Sequence, residues 1–81
     1  MVDTFLEEFA KLIVNNPDNV RVERVDVDDT FSEVIIYADK VDTGKLIGKD
    51  GKMINSLKTV IAGCKAKDGK SYRVTVKAND E

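Results

Sequence analysis

The chain has 81 residues, of which 42% are hydrophobic and 35% are charged, and its formal net charge is −2. This length predicts a single small domain over residues 1–81, and this composition is typical of a soluble globular chain rather than a disordered one. With no histidine and one cysteine, Cys64, the chain lacks the commonest zinc ligand and general base, so we expect no enzyme, no metal site and no cofactor.

Targeting signals are also missing from the sequence. No apolar run approaches the length of a membrane span, which predicts that the chain has no membrane partner. Residues 1–16 are acidic and amphipathic, unlike a signal peptide, which starts with basic residues. We therefore expect a cytoplasmic location.

The charge is distributed unevenly along the chain. Residues 1–40 contain four basic and ten acidic side chains, a net charge of −6, whereas residues 41–81 contain nine basic and five acidic side chains, a net charge of +4. A bound phosphate responds mainly to charges within about 8 Å at physiological salt. The second half can therefore bind a polyanion although the whole chain is acidic.

The first predicted element is a helix. The tetrapeptide Thr4-Phe5-Leu6-Glu7 has the form of a capping box, which predicts a helix from about Phe5 to Asn15, and Pro17 follows its end. Helical spacing predicts a buried stripe of Phe5, Leu6, Phe9, Leu12 and Ile13.

Two strands follow, over residues 20–27 and 31–39, joined by an aspartate-rich turn. Val20 and Val22 alternate in one phase and Val25 and Val27 in the other, which predicts a bulge or a sharp twist near residues 23–24. The apolar run from Val34 to Ala38 predicts a central strand that is covered on both faces.

The second half predicts two helices and a strand. Asp42 or Thr43 is the predicted N-cap of a short helix that ends at the turn 48–51, and a longer helix continues to about Ala66, with Cys64 as a packed hydrophobic residue. A final strand has one buried face, formed by Tyr72, Val74, Val76 and Ala78. The predicted order of elements is αββααβ.

This order and the segment 44–54, GKLIGKDGKMI, resemble a type II KH domain with its GXXG loop at residues 48–51. Together with residues 16–22 and 69–76, the segment is similar to the small stand-alone bacterial KH proteins, the KhpA family. The resemblance covers residues 5–76. It implies an α+β fold in which a three-stranded mixed sheet packs against three helices, and a loop that clamps about four nucleotides of single-stranded RNA.

The residue types in this loop fit phosphate binding. Glycines at 48 and 51 allow close approach of a backbone, and the free N–H groups at the start of the following helix favour an anion. Asp50 repels phosphate, and we interpret it as the cap of that helix. The candidate RNA-binding residues are Gly48, Lys49, Asp50, Gly51, Lys52, Lys45, Lys58, Ile47 and Ile54, with Val41 and Ile36 as further candidates for an apolar groove.

The long helix carries a wide apolar stripe. Met53, Leu57 and Ile61 form a possible dimer interface on it, although the same residues could all belong to the core. The resemblance implies homodimers and pairing with a larger bacterial protein that has its own KH domain. It also links this kind of protein to RNA chaperone activity, cell elongation and cell-wall homeostasis.

Two other functions remain open from the sequence. The first is a protein-interaction adaptor in which RNA contact is minor. The second is a single-stranded DNA binder, because loop amides bind the phosphates of either nucleic acid and only 2′-hydroxyl contacts distinguish RNA from DNA.

Overall fold

A computed structural model describes residues 2–63 and 69–79 of the chain. The helices and strands are α1 (Val2–Ile13), β1 (Arg21–Asp28), β2 (Phe31–Ala38), α2 (Lys40–Ile47), α3 (Lys52–Ala62) and β3 (Ser71–Ala78). Short 3-10 turns occupy Pro17–Asn19 and Lys49–Gly51. The predicted order αββααβ is therefore confirmed. None of the helices in the described part of the chain is long and apolar enough to cross a membrane.

The three strands form one mixed sheet in the order β1-β2-β3. β1 is antiparallel to β2, and β2 is parallel to β3. The predicted central position of β2 is confirmed. Since two parallel strands need a crossover connection, α2 and α3 form the crossover between β2 and β3, and the turn between these helices is held on one side of the sheet.

The core lies between one face of the sheet and the helices. It includes Leu6 of α1, Val34 and Ile36 of β2, Leu46 of α2 and Ile61 of α3, and none of these side chains is more than 2% exposed. Val74 and Ala78 on β3 are also buried, which confirms the predicted buried face of the last strand. The core thus joins all three helices to the sheet.

None of the described helices packs on the opposite face of the sheet, the helix-free face, yet the centre of this face is covered. Ile35 is 8% exposed there, and its register partners are Glu23 on β1 and Thr75 on β3. The prediction that β2 is covered on both faces is confirmed at this residue, because the side chains of neighbouring strands shield the central strand.

The first helix differs from its prediction. It begins at Val2, so Thr4 lies within the helix and the predicted capping box is wrong. The buried stripe consists of Val2, Leu6 and Ala10. Leu6 of the predicted stripe is buried, and Phe9 and Ile13 pack partly against the core. Phe5 and Leu12 are instead 42% and 86% exposed, because the buried face is centred on Leu6.

The bulge predicted near residues 23–24 is also wrong. The pairing of β1 with β2 is regular from Arg21 to Asp26, and its irregularity lies between Asp26 and Asp28. Val25 pairs with Glu33 on the helix-free face and is 47% exposed. The valines change phase because Val22, which pairs with Ile36, and Val25, which pairs with Glu33, lie on opposite faces of this edge strand.

Both helices predicted for the second half of the chain are present, but the cap of the first one differs from the prediction. α2 begins one residue after its N-cap, Asp39, whereas the predicted caps Asp42 and Thr43 lie inside the helix. The predicted end of α3 near Ala66 and the predicted packing of Cys64 lie outside the described residues.

Candidate nucleic-acid interface

The turn between α2 and α3 has an unusual backbone. Gly48, Asp50 and Gly51 have φ angles of 79°, 57° and 75°. The Gly48 N–H donates to the Gly44 carbonyl at 2.8 Å, and the Gly51 N–H donates to the Gly48 carbonyl at 3.1 Å. A Cβ atom at Gly48 would lie 2.7 Å from both the backbone N and the Cβ of Met53, so no larger residue fits without a backbone shift. The sequence explained Gly48 by the close approach of a nucleic-acid backbone, and the contact with Met53 was not predicted.

Asp50 does not cap α3. The N-cap of α3 is Gly51, and no side chain makes a capping hydrogen bond there. Asp50 instead occupies the left-handed region and is exposed, a conformation that aspartate tolerates better than most residues. Our prediction of a capping role was wrong, and the exposed carboxylate remains a negative charge on the turn.

Lysines surround this turn. Residues 43–59 contain four lysines and a single acid, Asp50. All four are exposed, namely Lys45 on α2, Lys49 in the turn, and Lys52 and Lys58 on α3. Lys58 lies about 10 Å along α3 from Gly51, at 1.5 Å per residue.

The charges of most of these lysines are not neutralised within the protein. Lys49, Lys52 and Lys58 form no ion pair with another residue in the described ranges. The positive end of α3 begins at Lys52 and adds to the same field. The turn therefore combines an unusual glycine backbone with three lysines that have no ion-pair partner among the described residues.

The apolar residues predicted to line a groove have different environments. Ile47 and Val41 on α2 are 39% and 77% exposed, and Ile54 on α3 is partly buried against the core. Ile36 is fully buried because it lies on the helix-covered face of β2. The prediction that Ile36 lines a surface groove was wrong.

The stripe on α3 is divided between core and surface. Leu57 and Ile61 are 3% and 2% exposed, so a single copy of the chain already packs both of them in its core. Met53 is partly buried, and Val60, seven residues after it, is 56% exposed. Because residues seven apart share one helix face, Met53 and Val60 mark the edge of the stripe that reaches solvent.

Asp42 has a role that the sequence analysis did not find. Its carboxylate is fully buried, and it accepts hydrogen bonds from the backbone N–H groups of Asn15 at 3.1 Å and Asn16 at 3.0 Å and from the Asn16 side chain at 3.0 Å. Burial raises the pKa of this carboxyl, but the hydrogen bonds and nearby Lys45 outweigh burial and leave the pKa below its usual value. Asp42 thus fastens the segment after α1 to the helix that leads into the turn.

Acid should weaken this connection. Because the folded-state pKa of Asp42 is lower than its unfolded value, the ionised group stabilises the fold above the unfolded pKa, and this contribution is lost as pH falls through the folded pKa. We expect Asp42→Asn to lower stability at pH 7 and to show a shallower loss of stability between pH 5 and pH 2 (about the range in which carboxylates protonate). Urea unfolding at several pH values measures this, and an equally steep loss in the variant would contradict it.

The aspartates of the β1–β2 turn have a structural role. Asp28 accepts hydrogen bonds from the backbone N–H and the hydroxyl of Thr30, at 2.7 and 2.9 Å, as expected for an aspartate that closes a turn. Asp26 accepts from the Ser32 hydroxyl at 2.6 Å and from Arg24 Nε at 3.0 Å. Among the described residues, no group of three or more potential ligands is placed to hold a metal ion.

The element order, the mixed sheet and the glycine turn between α2 and α3 define a type II KH domain. The family model described as KhpA/KhpB, KH domain, matches residues 3–76. The chain belongs to this family of KH domains.

Individual relatives agree with the family assignment. The chain is 40% identical over 74 residues to the RNA-binding protein KhpA of Clostridium acetobutylicum, covering 88% of this chain and 93% of the relative. It is 33% identical over 76 residues to the RNA-binding protein KhpA of Mycobacterium bovis, covering 94% and 90%. It is 32% identical over 74 residues to the RNA-binding protein KhpA of Halalkalibacterium halodurans, covering 90% and 95%.

Proposed function

We propose that this protein binds single-stranded RNA at the turn between α2 and α3. The observation that carries the proposal is an exposed glycine turn at the N-terminus of α3, flanked by Lys49 and Lys52, which have no ion-pair partner among the described residues. The relatives named above are called RNA-binding proteins, which supports RNA as the ligand.

The proposed site has a part for phosphates and a part for bases. Gly48, Lys49, Asp50 and Gly51 approach the sugar-phosphate backbone, while Lys45, Lys52 and Lys58 extend the positive surface on either side. The Lys52 N–H at the start of α3 already donates to the Lys49 carbonyl, so an anion there would be favoured by the positive end of the helix dipole and not by that group. Ile47 and Ile54, with Val41, supply apolar surface on which bases can lie.

We also propose that the protein works as a homodimer or with a larger KH-containing protein. One KH domain contacts about four nucleotides, so a single module binds weakly, and linking two modules raises the overall affinity. The proposed interface is the edge of the α3 stripe that reaches solvent, formed by Met53 and Val60. Leu57 and Ile61, which the sequence also placed in this interface, are packed in the core of the single chain and support that edge from beneath. The proposed cellular role is that of a cytoplasmic RNA chaperone or post-transcriptional regulator connected with cell elongation and cell-wall homeostasis.

The test is binding of a mixed-sequence single-stranded RNA to the protein and to Lys49→Asp, followed by fluorescence anisotropy at two salt concentrations. Reversing one charge at the turn should weaken binding about tenfold or more, and each lost phosphate contact should reduce the salt slope by about 0.7. Lys77→Asp is the matched control, because Lys77 is also exposed but lies on β3, where it pairs with Tyr37 on the sheet face opposite the helices. We expect it to bind nearly as well as the unmodified protein.

The same titrations distinguish the competing functions. Equal binding by Lys49→Asp and the unmodified protein would show that the turn is not the site. Tighter binding of a DNA oligomer of matched sequence would replace RNA with DNA as the ligand. The third outcome is that RNA does not bind at any protein concentration, including those at which the measured mass changes from monomer to dimer. That result would favour a protein-interaction adaptor.

A further inference from the structure

Asn15 connects the buried Asp42 with the exposed Lys45. The Asn15 backbone N–H donates to Asp42 Oδ1 at 3.1 Å, and the Asn15 side-chain oxygen accepts a hydrogen bond from Lys45 Nζ at 2.7 Å. Asn15 is 30 residues from Lys45 in the sequence, so only the folded chain brings them together. This lysine is one of the four that surround the turn.

The backbone of Asn15 is held firmly on α2. Asp42 and Lys45 are three residues apart on that helix and therefore lie on the same side of it, one turn above the other. Asp42 also accepts two hydrogen bonds from Asn16, so the carboxylate fixes two consecutive residues of the segment. The side-chain oxygen of Asn15 is thus an acceptor at a defined place beside Lys45.

We propose that Asn15 is a positioning residue for the nucleic-acid site, which rests on the proposed function. Lys45 is three residues before Gly48 on α2, and Asn15 holds its ammonium group through one hydrogen bond, so the other two N–H groups of that ammonium remain for phosphate. A lysine side chain loses conformational freedom when it is ordered, so a lysine held in place before RNA arrives costs less to bind. Asn15 therefore contributes to RNA affinity through Lys45 and not through RNA contact of its own.

The variant that isolates this role is Asn15→Ala. It removes the acceptor for Lys45 but keeps the backbone N–H that Asp42 binds, so the connection between α1 and α2 is retained. Asn19→Ala is the matched control. Like Asn15, Asn19 has an exposed side chain that hydrogen bonds near α2, in this case by donating to Asp39 Oδ2 at 2.9 Å. Unlike Asn15, it has no contact with Lys45 among the described interactions.

A double-mutant cycle tests the proposal. We expect Asn15→Ala to weaken RNA binding about two- to tenfold, the range for a side chain that must be ordered on binding. In a Lys45→Ala background the same change should have no further effect, because its effect passes through the lysine. Asn19→Ala should leave the affinity unchanged in both backgrounds.

Two outcomes of the cycle would overturn the inference. One is an equal loss of affinity from Asn15→Ala with and without Lys45, which would mean that Asn15 acts on the fold or touches RNA itself. The other is unchanged affinity in Asn15→Ala. If Lys49→Asp abolishes binding while Asn15→Ala has no effect, this inference fails and the proposed function stands, whereas unchanged binding in Lys49→Asp refutes the proposed site.

A second measurement examines Lys45 without RNA. A lysine held by a hydrogen bond reacts more slowly with an acetylating reagent than a free one, so Asn15→Ala should raise the acetylation rate of Lys45 relative to Lys58 in the same molecule. Peptide mass spectrometry of briefly treated protein gives both rates. Equal relative rates in Asn15→Ala and the unmodified protein would overturn the inference, and Asn19→Ala is expected to show no change.

Discussion

Gly48→Ala will reduce the free energy of unfolding by about 3 kcal/mol and will abolish RNA binding at the turn. Gly48 has φ 79° and ψ 170°, a region that is open almost only to glycine. The added Cβ would also lie 2.7 Å from the Met53 backbone at the beginning of α3, so relieving the contact requires a movement of that helix. Urea denaturation measures the first effect, and anisotropy with RNA measures the second.

Gly44→Ala is the control for that experiment. Gly44 lies within α2, and a Cβ atom there would meet nothing within 4 Å. Alanine in a helix interior is favoured over glycine, so this variant should be about 0.5–1 kcal/mol more stable than the unmodified protein. Similar losses of stability in both variants would show that the geometry of the turn is not what requires glycine at position 48.

The adjacent residues Leu46 and Ile47 should separate stability from binding. Leu46 is fully buried in the core, so Leu46→Ala should lower the free energy of unfolding by about 2–5 kcal/mol, a large part of the total for a small domain. Ile47 is 39% exposed beside the turn, so Ile47→Ala should cost about 1 kcal/mol or less while weakening RNA binding.

Thermal unfolding and RNA titration of these two variants, at a temperature where both are folded, make the comparison. The expected pattern is a lower melting temperature with near-normal affinity for Leu46→Ala and the reverse for Ile47→Ala. A loss of stability in Ile47→Ala as large as that in Leu46→Ala would place Ile47 in the core and remove it from the proposed groove.

Local sequence patterns were sufficient to predict the order of the elements. The turn at residues 48–51 separates two apolar helical segments, and the aspartates at 28 and 29 separate two β-rich segments, so each boundary has a residue type with a local physical reason. The alternation in the last strand likewise depends only on neighbouring residues. These predictions are confirmed because contacts with distant residues do not change the secondary structure that the local patterns favour.

The incorrect predictions concern residues whose surroundings are set by distant parts of the chain. Asp42 looked like a helix cap, but its hydrogen-bond partners are 26 and 27 residues away. Val25 looked like the sign of a bulge, but it lies on the helix-free face of an edge strand, which the spacing of valines alone does not reveal. The contact between Asn15 and Lys45 has the same origin, and two polar residues after a helix are too common to predict it.

The pairing of β2 with β3 also determines how late the candidate site is completed during folding. Every residue pair between these parallel strands, from Phe31↔Ser71 to Ala38↔Ala78, is separated by 40 positions in the sequence. Contacts between such distant residues form slowly because a long loop must close first. As the chain emerges from the ribosome, the glycine turn is synthesised well before β3, yet the sheet that anchors its two helices cannot close until β3 arrives. Full order at the turn therefore depends on the last strand.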